Sequence, residues 1–492
     1  MEITPIGYLL IPVGLVAAFL PWKKPLFYLL IFFAPFTATA VINTSATGLS
    51  PSYFFGILFM IRFIIKAFST KSPISYIRSQ STILLLFAIF VLVALVSIWA
   101  IPLYGPIPII KASGQEGQLQ QGVDNILQFL YLIYIFGLIS SIGLSKLQPK
   151  DLHQVLRVIL LAAIFVALWG WLQLFLFSVH IPYPEFIFNN SNGVAQNSGQ
   201  QVIGLGLKRM NSVAPEPSYF GRYLTIPTFI SFYCIYNKGF LLRSRQAVIL
   251  ATFFSITALV STSTSAIISF GGGIFIFLFL LLKNRKSAHL YGGNTKQIKK
   301  IFFIAVLILI LLPAILFAFA TLFLHYSIED INILLQQILF NKLDSHSGEI
   351  RTGNAVVGFQ LFLVSPLLGI GWGSNRTNEL TSQLLSTTGL IGVFSFILAH
   401  FVLFKSNTAL IRYLGKLGYP LLSAYPEVLL IALSVRLFSK IVSEPSLIPL
   451  DYWILVGLMI ATLRWVASVR SKPEAEQQLP VNLRRDVKDS LV

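Results

Sequence analysis

The chain has 492 residues, of which 55% are hydrophobic and only 11% are charged. Because a water-exposed surface needs roughly a quarter of its residues to be charged, this composition excludes a soluble globular protein. Apolar runs of about 20 residues, the length that crosses a bilayer, recur along most of the sequence. We therefore predict an all-α, polytopic integral membrane protein.

Thirteen apolar runs predict about 12–13 transmembrane helices in a single domain of residues 1–470. Each run is too long or too uniformly apolar for a strand of a membrane β-barrel. The first run is expected to be a span, because it lacks the basic stretch and the cleavage site of a signal peptide. The runs lie at residues 5–22, 25–42, 52–67, 82–101, 125–143, 157–178, 220–236, 247–261, 265–282, 301–324, 382–404, 419–436 and 451–468.

The lysines and arginines predict the orientation of the chain. Of the 36 basic residues, 26 lie in alternate loops and at the C-terminal end, and the positive-inside rule places that side in the cytoplasm. The N-terminus is then outside (periplasmic) and the C-terminus is cytoplasmic, with residues 471–492 as a disordered tail. The net charge of +18 is mostly this topology signal, together with attraction to anionic membrane lipids, and no nucleic-acid partner is predicted.

The first of two long outer loops, residues 179–219, ends in a charged cluster. Arg209 and Arg222 flank Glu216, which stands between two prolines at the start of the seventh predicted span. Proline restricts its own backbone and that of the residue before it, so Glu216 is expected in a stiff, extended turn. Arginines at such a position often reach lipid headgroups, but a carboxylate gains nothing beside anionic lipid. The cluster is therefore a candidate site, with headgroup anchoring as the alternative.

The second long outer loop, residues 325–381, is predicted to contain a short amphipathic helix. Ser347 is a plausible N-cap, which places Glu349 and Arg351 at the start of the helix, and the apolar stretch ends at Pro366. That stretch is too short to span, so the helix is expected at the membrane surface or packed on the bundle.

Other features of the outer side and the spans weigh less. The glycines at positions 369, 371 and 373 allow tight turns, but no strand precedes them as in a dinucleotide-binding fingerprint. The run from Ser261 to Ser265 is expected to form a tight turn whose hydroxyls satisfy helix ends. Glu427 lies inside an apolar run, where an acid is a functional candidate, and His346 by itself is more typical of a solvated loop histidine.

An outer site rich in arginine suits a ligand with anionic phosphate groups. Guanidinium groups bind phosphate oxygens in pairs and stay charged at any working pH. If a glycan is transferred from a lipid-linked diphosphate, arginines can stabilise the charge that develops on the leaving phosphate. A carboxylate or a histidine can take the proton of the acceptor hydroxyl. No metal-ligand spacing is visible, so no metal or other cofactor is predicted.

Residues 150–405 resemble, in order, the O-antigen polymerase and ligase family. The resemblance is carried by an arginine and Glu-Pro-Ser before a span, by the Ser/Thr turn, and by an arginine-led segment running to Pro-Leu-Leu-Gly-Ile-Gly-Trp-Gly. It implies a metal-independent membrane glycosyltransferase of the C-type helical architecture. Such an enzyme uses undecaprenyl-pyrophosphate-linked glycan on the outer face of the bacterial inner membrane, with flippase and chain-length regulator proteins as candidate partners.

By this resemblance, Arg209 matches the family's first-loop arginine, Arg351 matches its second-loop arginine, and His346 stands near a second-loop histidine of the ligase branch. The predicted site residues are Glu216, Arg209, Arg351 and His346 in catalysis, Arg209, Arg222 and Arg351 in pyrophosphate binding, and Tyr219, Glu349 and Trp372 in contact with the glycan.

The expected reaction is the polymerisation of lipid-linked repeat units into O-antigen or exopolysaccharide. The alternative within the family is a ligase, which transfers the finished glycan to a lipid A core or another acceptor. It stays open because Arg209 and Gly221 are one residue further apart than in the common polymerase pattern. The alternative from another class is a transporter or flippase of the same lipid-linked sugar, which should show repeats and broken helices with polar groups at mid-membrane.

Overall fold

The computed structural model describes residues 1–20, 24–45, 47–69, 78–100, 107–110, 116–119, 121–192, 208–288 and 346–465, with a few positions between 301 and 307. Within these ranges the chain is mostly helical. The helices are α1 (Pro5–Phe19), α2 (Lys24–Phe32), α3 (Pro51–Ser69), α4 (Arg78–Ala100), α5 (Val123–Gly143), α6 (Pro149–Ser178), α7 (Glu185–Phe188), α8 (Pro217–Tyr236), α9 (Ser244–Val260), α10 (Thr264–Ala288), α11 (His346–Val364), α12 (Leu380–Lys416), α13 (Pro420–Ser443) and α14 (Leu450–Thr462).

Short strands form two small antiparallel sheets in the described residues. The first sheet has the order β1-β2-β3, and the second is the hairpin of β4 and β5, in which Ile107 pairs with Leu119. The strands are β1 (Glu2–Ile3), β2 (Ile42–Asn43), β3 (Gly48–Leu49), β4 (Ile107–Ile110) and β5 (Glu116–Leu119).

Seven helices of the described chain are long and apolar enough to cross a membrane, namely α3, α4, α5, α6, α10, α12 and α13. The apolar helices α1, α9 and α14 are shorter. The predicted class, an all-α multi-pass membrane protein, is thus confirmed, whereas the number of spans stays a prediction. The tail from residue 471 and nearly all of the span predicted at 301–324 lie outside the described residues.

The second predicted span, residues 25–42, is helical only in its first part, which corrects the prediction. α2 ends at Phe32, and residues 33–41 form turns that lead into β2. In this segment the backbone N–H of Ala38 donates to the carbonyl oxygen of Val213 at 3.0 Å. A tertiary partner thus takes the place of a helical one, and an apolar composition alone could not reveal it.

The centre of the bundle is formed by α8 and α14, in which nearly every side chain is buried, and by α13, in which most side chains are buried. α10 packs against both α8 and α13. At Gly273 of α10, an added Cβ would lie 2.5 Å from the ring of Phe229 and 3.1 Å from Val435. A glycine here lets the three helices approach closely, as small residues do between membrane helices.

The loops between the described helices divide between two ends of the bundle. At one end, Lys24 forms a salt bridge with Asp151 at 2.7 Å, and Arg464 donates to the carbonyl oxygen of Leu144 at 3.0 Å. The starts of α8, α10 and α14 and the ends of α9 and α13 lie at the opposite end. The distribution of basic residues predicts that this second end, called here the site end, faces outward.

A helix, α11, lies in the second long loop and packs against α12. It begins at His346, so Ser347 lies inside the helix and is not its N-cap, which corrects the prediction. Gly369, Gly371 and Gly373 follow it with φ angles of 72°, 105° and 82°. These are left-handed conformations that glycine adopts without steric cost, as tight turns require.

α12 is interrupted at Gly389, which has φ 61° and ψ −166°. The loop after α11 binds the interruption from the side. The N–H of Ile370 donates to the carbonyl oxygen of Ser386, and the N–H of Leu390 donates to that of Pro366, both at 2.8 Å. Backbone groups that the break removes from the helix are thus satisfied within the protein, as a membrane environment requires.

Candidate functional site

The segment that enters α8 is fixed by buried hydrogen bonds. Gln173 of α6 accepts from the backbone N–H groups of Asn211 and Ser212 at 3.0 and 2.9 Å. Pro217 begins α8, and Glu216 occupies the N-cap position in an extended conformation. This agrees with the stiff, extended turn predicted from the two prolines.

The Glu216 carboxylate is half-buried and does not cap its own helix. Its Oε2 accepts from the Ser218 hydroxyl at 3.0 Å. Within the described part of the chain, no arginine comes within salt-bridge distance of it. Its charge nevertheless raises the pKa of both the Arg209 and the Arg351 guanidinium groups. Glu216 therefore lies near these two arginines without a direct ion pair to either.

Arg209 is held by the Ser/Thr turn between α9 and α10. Its Nε donates to Thr262 Oγ1 and its terminal nitrogen to the Thr262 carbonyl oxygen, both at 2.9 Å. Burial lowers the pKa of the Arg209 guanidinium to about 10, with Glu216 raising it and Arg351 lowering it. The group therefore stays charged at neutral pH.

Arg351 lies in the first turns of α11 and reaches the same Ser/Thr turn. Its guanidinium donates to Ser265 Oγ at 3.3 Å, and the side chain is exposed. The hydroxyls of Ser261 and Ser263 satisfy the ends of α9 and α10, as predicted. The turn thus has a second role, because it brings together two arginines that are 142 positions apart in the sequence.

Arg222, by contrast, points into the protein and is only 3% exposed. Its guanidinium donates to the Ser443 carbonyl oxygen, lies 3.5 Å from the Glu444 carboxylate, and covers the ring of Tyr219 at 4.6 Å. The structure therefore gives Arg222 protein partners in place of an open face for pyrophosphate.

Arg222 belongs to a buried ionic cluster that joins α8, α13 and α14. Arg436 binds Asp451 at 2.7 Å and Glu444 at 3.1 Å, and Lys440 binds Glu444 at 2.9 Å. Arg436 therefore has two carboxylate partners, one on either side of the α13–α14 connection. Burial alone raises the pKa of the Glu444 carboxyl, but Arg436, Lys440 and Arg222 together lower it well below its usual value.

A cleft of about 320 Å³, including its open mouth, runs between the N-terminal part of α8 and this cluster. Tyr219 and Tyr223 of α8 line it, together with Arg436 and Asp451 of the cluster.

The other predicted residues lie at various distances from this centre. Trp372 is 6% exposed and packs edge-on against Phe90 of α4, so its ring offers no open face to a glycan. Glu349 is exposed near the start of α11. His346 begins α11, but its side chain lies outside the described residues. Glu427 accepts from the Tyr233 hydroxyl at 2.8 Å, away from the arginines.

Sequence reasoning missed Arg376 and the acids Glu444 and Asp451. Arg376 is exposed and acts electrostatically on Tyr219. The acids stand on either side of the short α13–α14 connection, where a Glu and an Asp beside apolar runs could have been recognised as partners for Arg436. Arg376 carried no such signal.

The site therefore combines the partly buried guanidinium group of Arg209 and the exposed group of Arg351 with a carboxylate that has no direct ion pair among the described residues. This arrangement can bind phosphate oxygens and accept a proton beside them. In the described residues, no three His, Cys, Asp or Glu side chains lie close enough together to hold a metal ion.

Comparison with protein-family models and with curated proteins finds no match for this chain. The resemblance to the O-antigen polymerase and ligase family therefore stays a prediction, and the function has to be argued from the site itself.

Proposed function

We propose that this protein is a membrane glycosyltransferase that joins oligosaccharide repeat units linked to undecaprenyl pyrophosphate, on the outer face of the bacterial inner membrane. The observation that supports it best is the convergence of Arg209 and Arg351 on one Ser/Thr turn beside Glu216. Two guanidinium groups held by hydroxyls, with a carboxylate among them, provide both phosphate binding and a base.

In the proposed reaction, Arg209 and Arg351 bind oxygens of the lipid diphosphate. A hydroxyl of the acceptor glycan attacks the anomeric carbon, and the bond between that carbon and the phosphate oxygen breaks. The electron pair leaves with the diphosphate, whose charge the arginines stabilise, and the hydroxyl proton passes to Glu216. The Arg222 guanidinium supports the site because it stacks on the ring of Tyr219 and holds this side chain in place.

A ligase would use the same groups with a different acceptor, so it remains the alternative within this class. A transporter of the lipid-linked sugar is the second candidate, because α12 is broken at Gly389 and a charged cluster is buried beneath the site. However, the broken backbone is satisfied by the loop at Ile370, and Glu444 pairs the cations of the cluster. Contacts within the protein therefore satisfy both the broken backbone and the buried charges, which favours an enzyme over a transporter.

The arginines can be tested with purified protein and a lipid-linked repeat unit. We expect Arg209→Ala and Arg351→Ala each to slow extension by about 10²–10³, the usual cost of losing one preorganised donor. Arg209→Lys should rescue poorly, because an ammonium cannot grip phosphate through a planar fork. The matched control is Arg412→Ala, which removes an exposed arginine near the opposite end of α12. Extension at wild-type rates by both alanine variants would reduce these arginines to headgroup anchors.

Glu216→Gln separates a base from a structural acceptor. The amide keeps the shape and can still accept from Ser218, but it cannot take a proton. We expect this variant to bind the repeat unit with nearly unchanged affinity and to extend it at least about 100-fold more slowly. Two results would show that Glu216 is not the base: the loss of both binding and extension, or the retention of both.

A further inference from the structure

The segment between α11 and α12, residues 365–379, is built as a rigid platform. It contains three glycines in left-handed conformations, and its backbone is bonded to the interruption in α12. An added Cβ on Gly369 would lie 2.4 Å from the Thr387 carbonyl carbon, so the two backbones are in direct contact. This contact restricts the motion of the side chains that the segment carries.

Only two side chains of this platform are charged, Arg376 and Glu379. Glu379 caps α12, because its carboxylate accepts from the N–H groups of Thr381 and Ser382 at 2.7 and 2.8 Å. Its charge therefore serves the helix N-terminus, and Arg376 is the charge that the platform presents outward.

The backbone is fixed on both sides of Arg376. Gln383 of α12 donates to the Asn375 carbonyl oxygen at 2.6 Å and accepts from the Thr377 N–H at 2.7 Å. Thr377 is buried, whereas the side chain of Arg376 is exposed. In the described part of the chain, no carboxylate lies within salt-bridge distance of it.

The position of Arg376 relates it to the site already described. The neighbouring Thr377 packs against α11, the helix that carries Arg351, since a Cβ added at Gly358 would lie 2.8 Å from the Thr377 methyl group. The charge of Arg376 also acts on Tyr219, whose ring lies under Arg222. Arg209 and Arg351 are held from the α9–α10 turn, whereas Arg376 is held from α12. Guanidinium groups at this end of the bundle are therefore fixed by two different elements.

We propose that Arg376 is a further substrate-binding residue, whose guanidinium grips phosphate oxygens of the lipid diphosphate from the α12 side. This inference rests on the proposed function. A diphosphate carries several negative charges, and arginines on two flanks bind it in one orientation, with the anomeric carbon directed towards Glu216. A mere headgroup anchor would not need a backbone pinned on both sides.

The test measures binding of farnesyl diphosphate and of farnesol to the purified full-length protein by titration calorimetry. Arg376→Ala should raise the Kd for farnesyl diphosphate about tenfold, the value of one charged hydrogen-bonding partner, and should leave the Kd for farnesol unchanged. Arg376→Lys should recover only part of the loss, and Arg376→Gln should resemble the alanine variant. The control Arg412→Ala should bind both ligands like the wild type.

The unfolding temperature of each variant is measured alongside, and we expect it to be unchanged because Arg376 is exposed. Unchanged farnesyl diphosphate binding in Arg376→Ala, with loss of binding in Arg209→Ala, would overturn this inference and leave the proposed function standing. A full rescue by lysine would also overturn it, since an anchor needs only a charge. A wild type that does not distinguish the diphosphate from farnesol would overturn both.

Discussion

Thr262 shows how a single residue positions the site. Its φ of 51° is left-handed, which costs a β-branched residue about 1–3 kcal/mol. In return, its hydroxyl and its carbonyl oxygen both face Arg209. Strain of this kind persists where the surroundings over-determine it, and we interpret it here as the cost of aiming Arg209.

We therefore expect Thr262→Gly to lower the extension rate at least about tenfold while changing the free energy of unfolding by no more than about 1 kcal/mol. Glycine relieves the strain, which offsets the loss of one hydrogen bond to a charged group, worth about 1.5–3 kcal/mol. Thr262→Ser keeps the hydroxyl and should keep the activity. Thermal unfolding and the extension assay together check this prediction. A Thr262→Gly variant with wild-type activity would show that the hydrogen bond from Arg209 to the Thr262 hydroxyl does not matter.

At this scale the sequence predicted the types of residue but not their partners. Arg209, Glu216 and Arg351 stood out because charges are rare beside apolar runs. The packing of α8, α9 and α10 determines which hydroxyl each arginine contacts, and this packing produces no local sequence pattern. The environment of Trp372 was unpredictable for the same reason, since its glycine-rich surroundings look like an open loop but the ring is packed against Phe90.

At the scale of elements, the Glu444 carboxylate joins α8 to α13, and Arg436 extends the cluster to Asp451 of α14. Breaking a buried ion pair by removing one partner typically costs about 3–5 kcal/mol, because the remaining charges stay buried. We expect Glu444→Gln to lower the free energy of unfolding by about that amount, as measured by thermal or denaturant unfolding. The control Glu349→Gln alters an exposed carboxylate and should have little effect.

The same residue gives a pH dependence. The folded-state pKa of Glu444 lies below its ordinary value of 4.5, so its stabilisation is present above about pH 4.5 and is lost as the pH falls towards the lowered pKa. Unfolding temperatures of the wild type should therefore fall on acidification below about pH 4.5 more steeply than those of Glu444→Gln. Parallel curves for the two proteins would contradict the assignment.

The interruption of α12 can be tested at Gly389. An added Cβ there would lie 2.4 Å from the Leu367 carbonyl oxygen, and the φ of 61° disfavours any side chain. Gly389→Ala should destabilise the protein by at least about 2 kcal/mol and loosen the platform of Arg376. Gly271→Ala is the matched control, because open space surrounds that helical position, and it should be neutral or stabilising by about 1 kcal/mol. An undisturbed Gly389→Ala variant would show that the loop does not depend on the break.

Helix positions were largely predictable because long apolar runs leave few alternatives to a helix in a membrane. The exception at residues 33–41 has a physical reason, since these apolar residues find hydrogen-bond partners in other segments. The break in α12 was not predicted, because a glycine in an apolar run is also common in uninterrupted membrane helices.

At the scale of the whole molecule, the proposed reaction requires the site end to face outward. A reporter fused after Lys300 should be cytoplasmic, and one fused near Asn354 of α11 should be on the outer side. The uneven distribution of basic residues is the reason for this expectation. Both reporters on one side of the membrane would invalidate the orientation.

The proposed function requires this protein alone to form glycosidic bonds from lipid-diphosphate-linked repeat units. The most direct measurement reconstitutes the wild type in vesicles with a purified lipid-linked repeat unit and no other component, and records both product length and movement of the lipid between leaflets. We predict products longer than one repeat unit that disappear in Arg209→Ala. Movement of the lipid between leaflets without any new glycosidic bond would contradict the proposed function and identify a transporter.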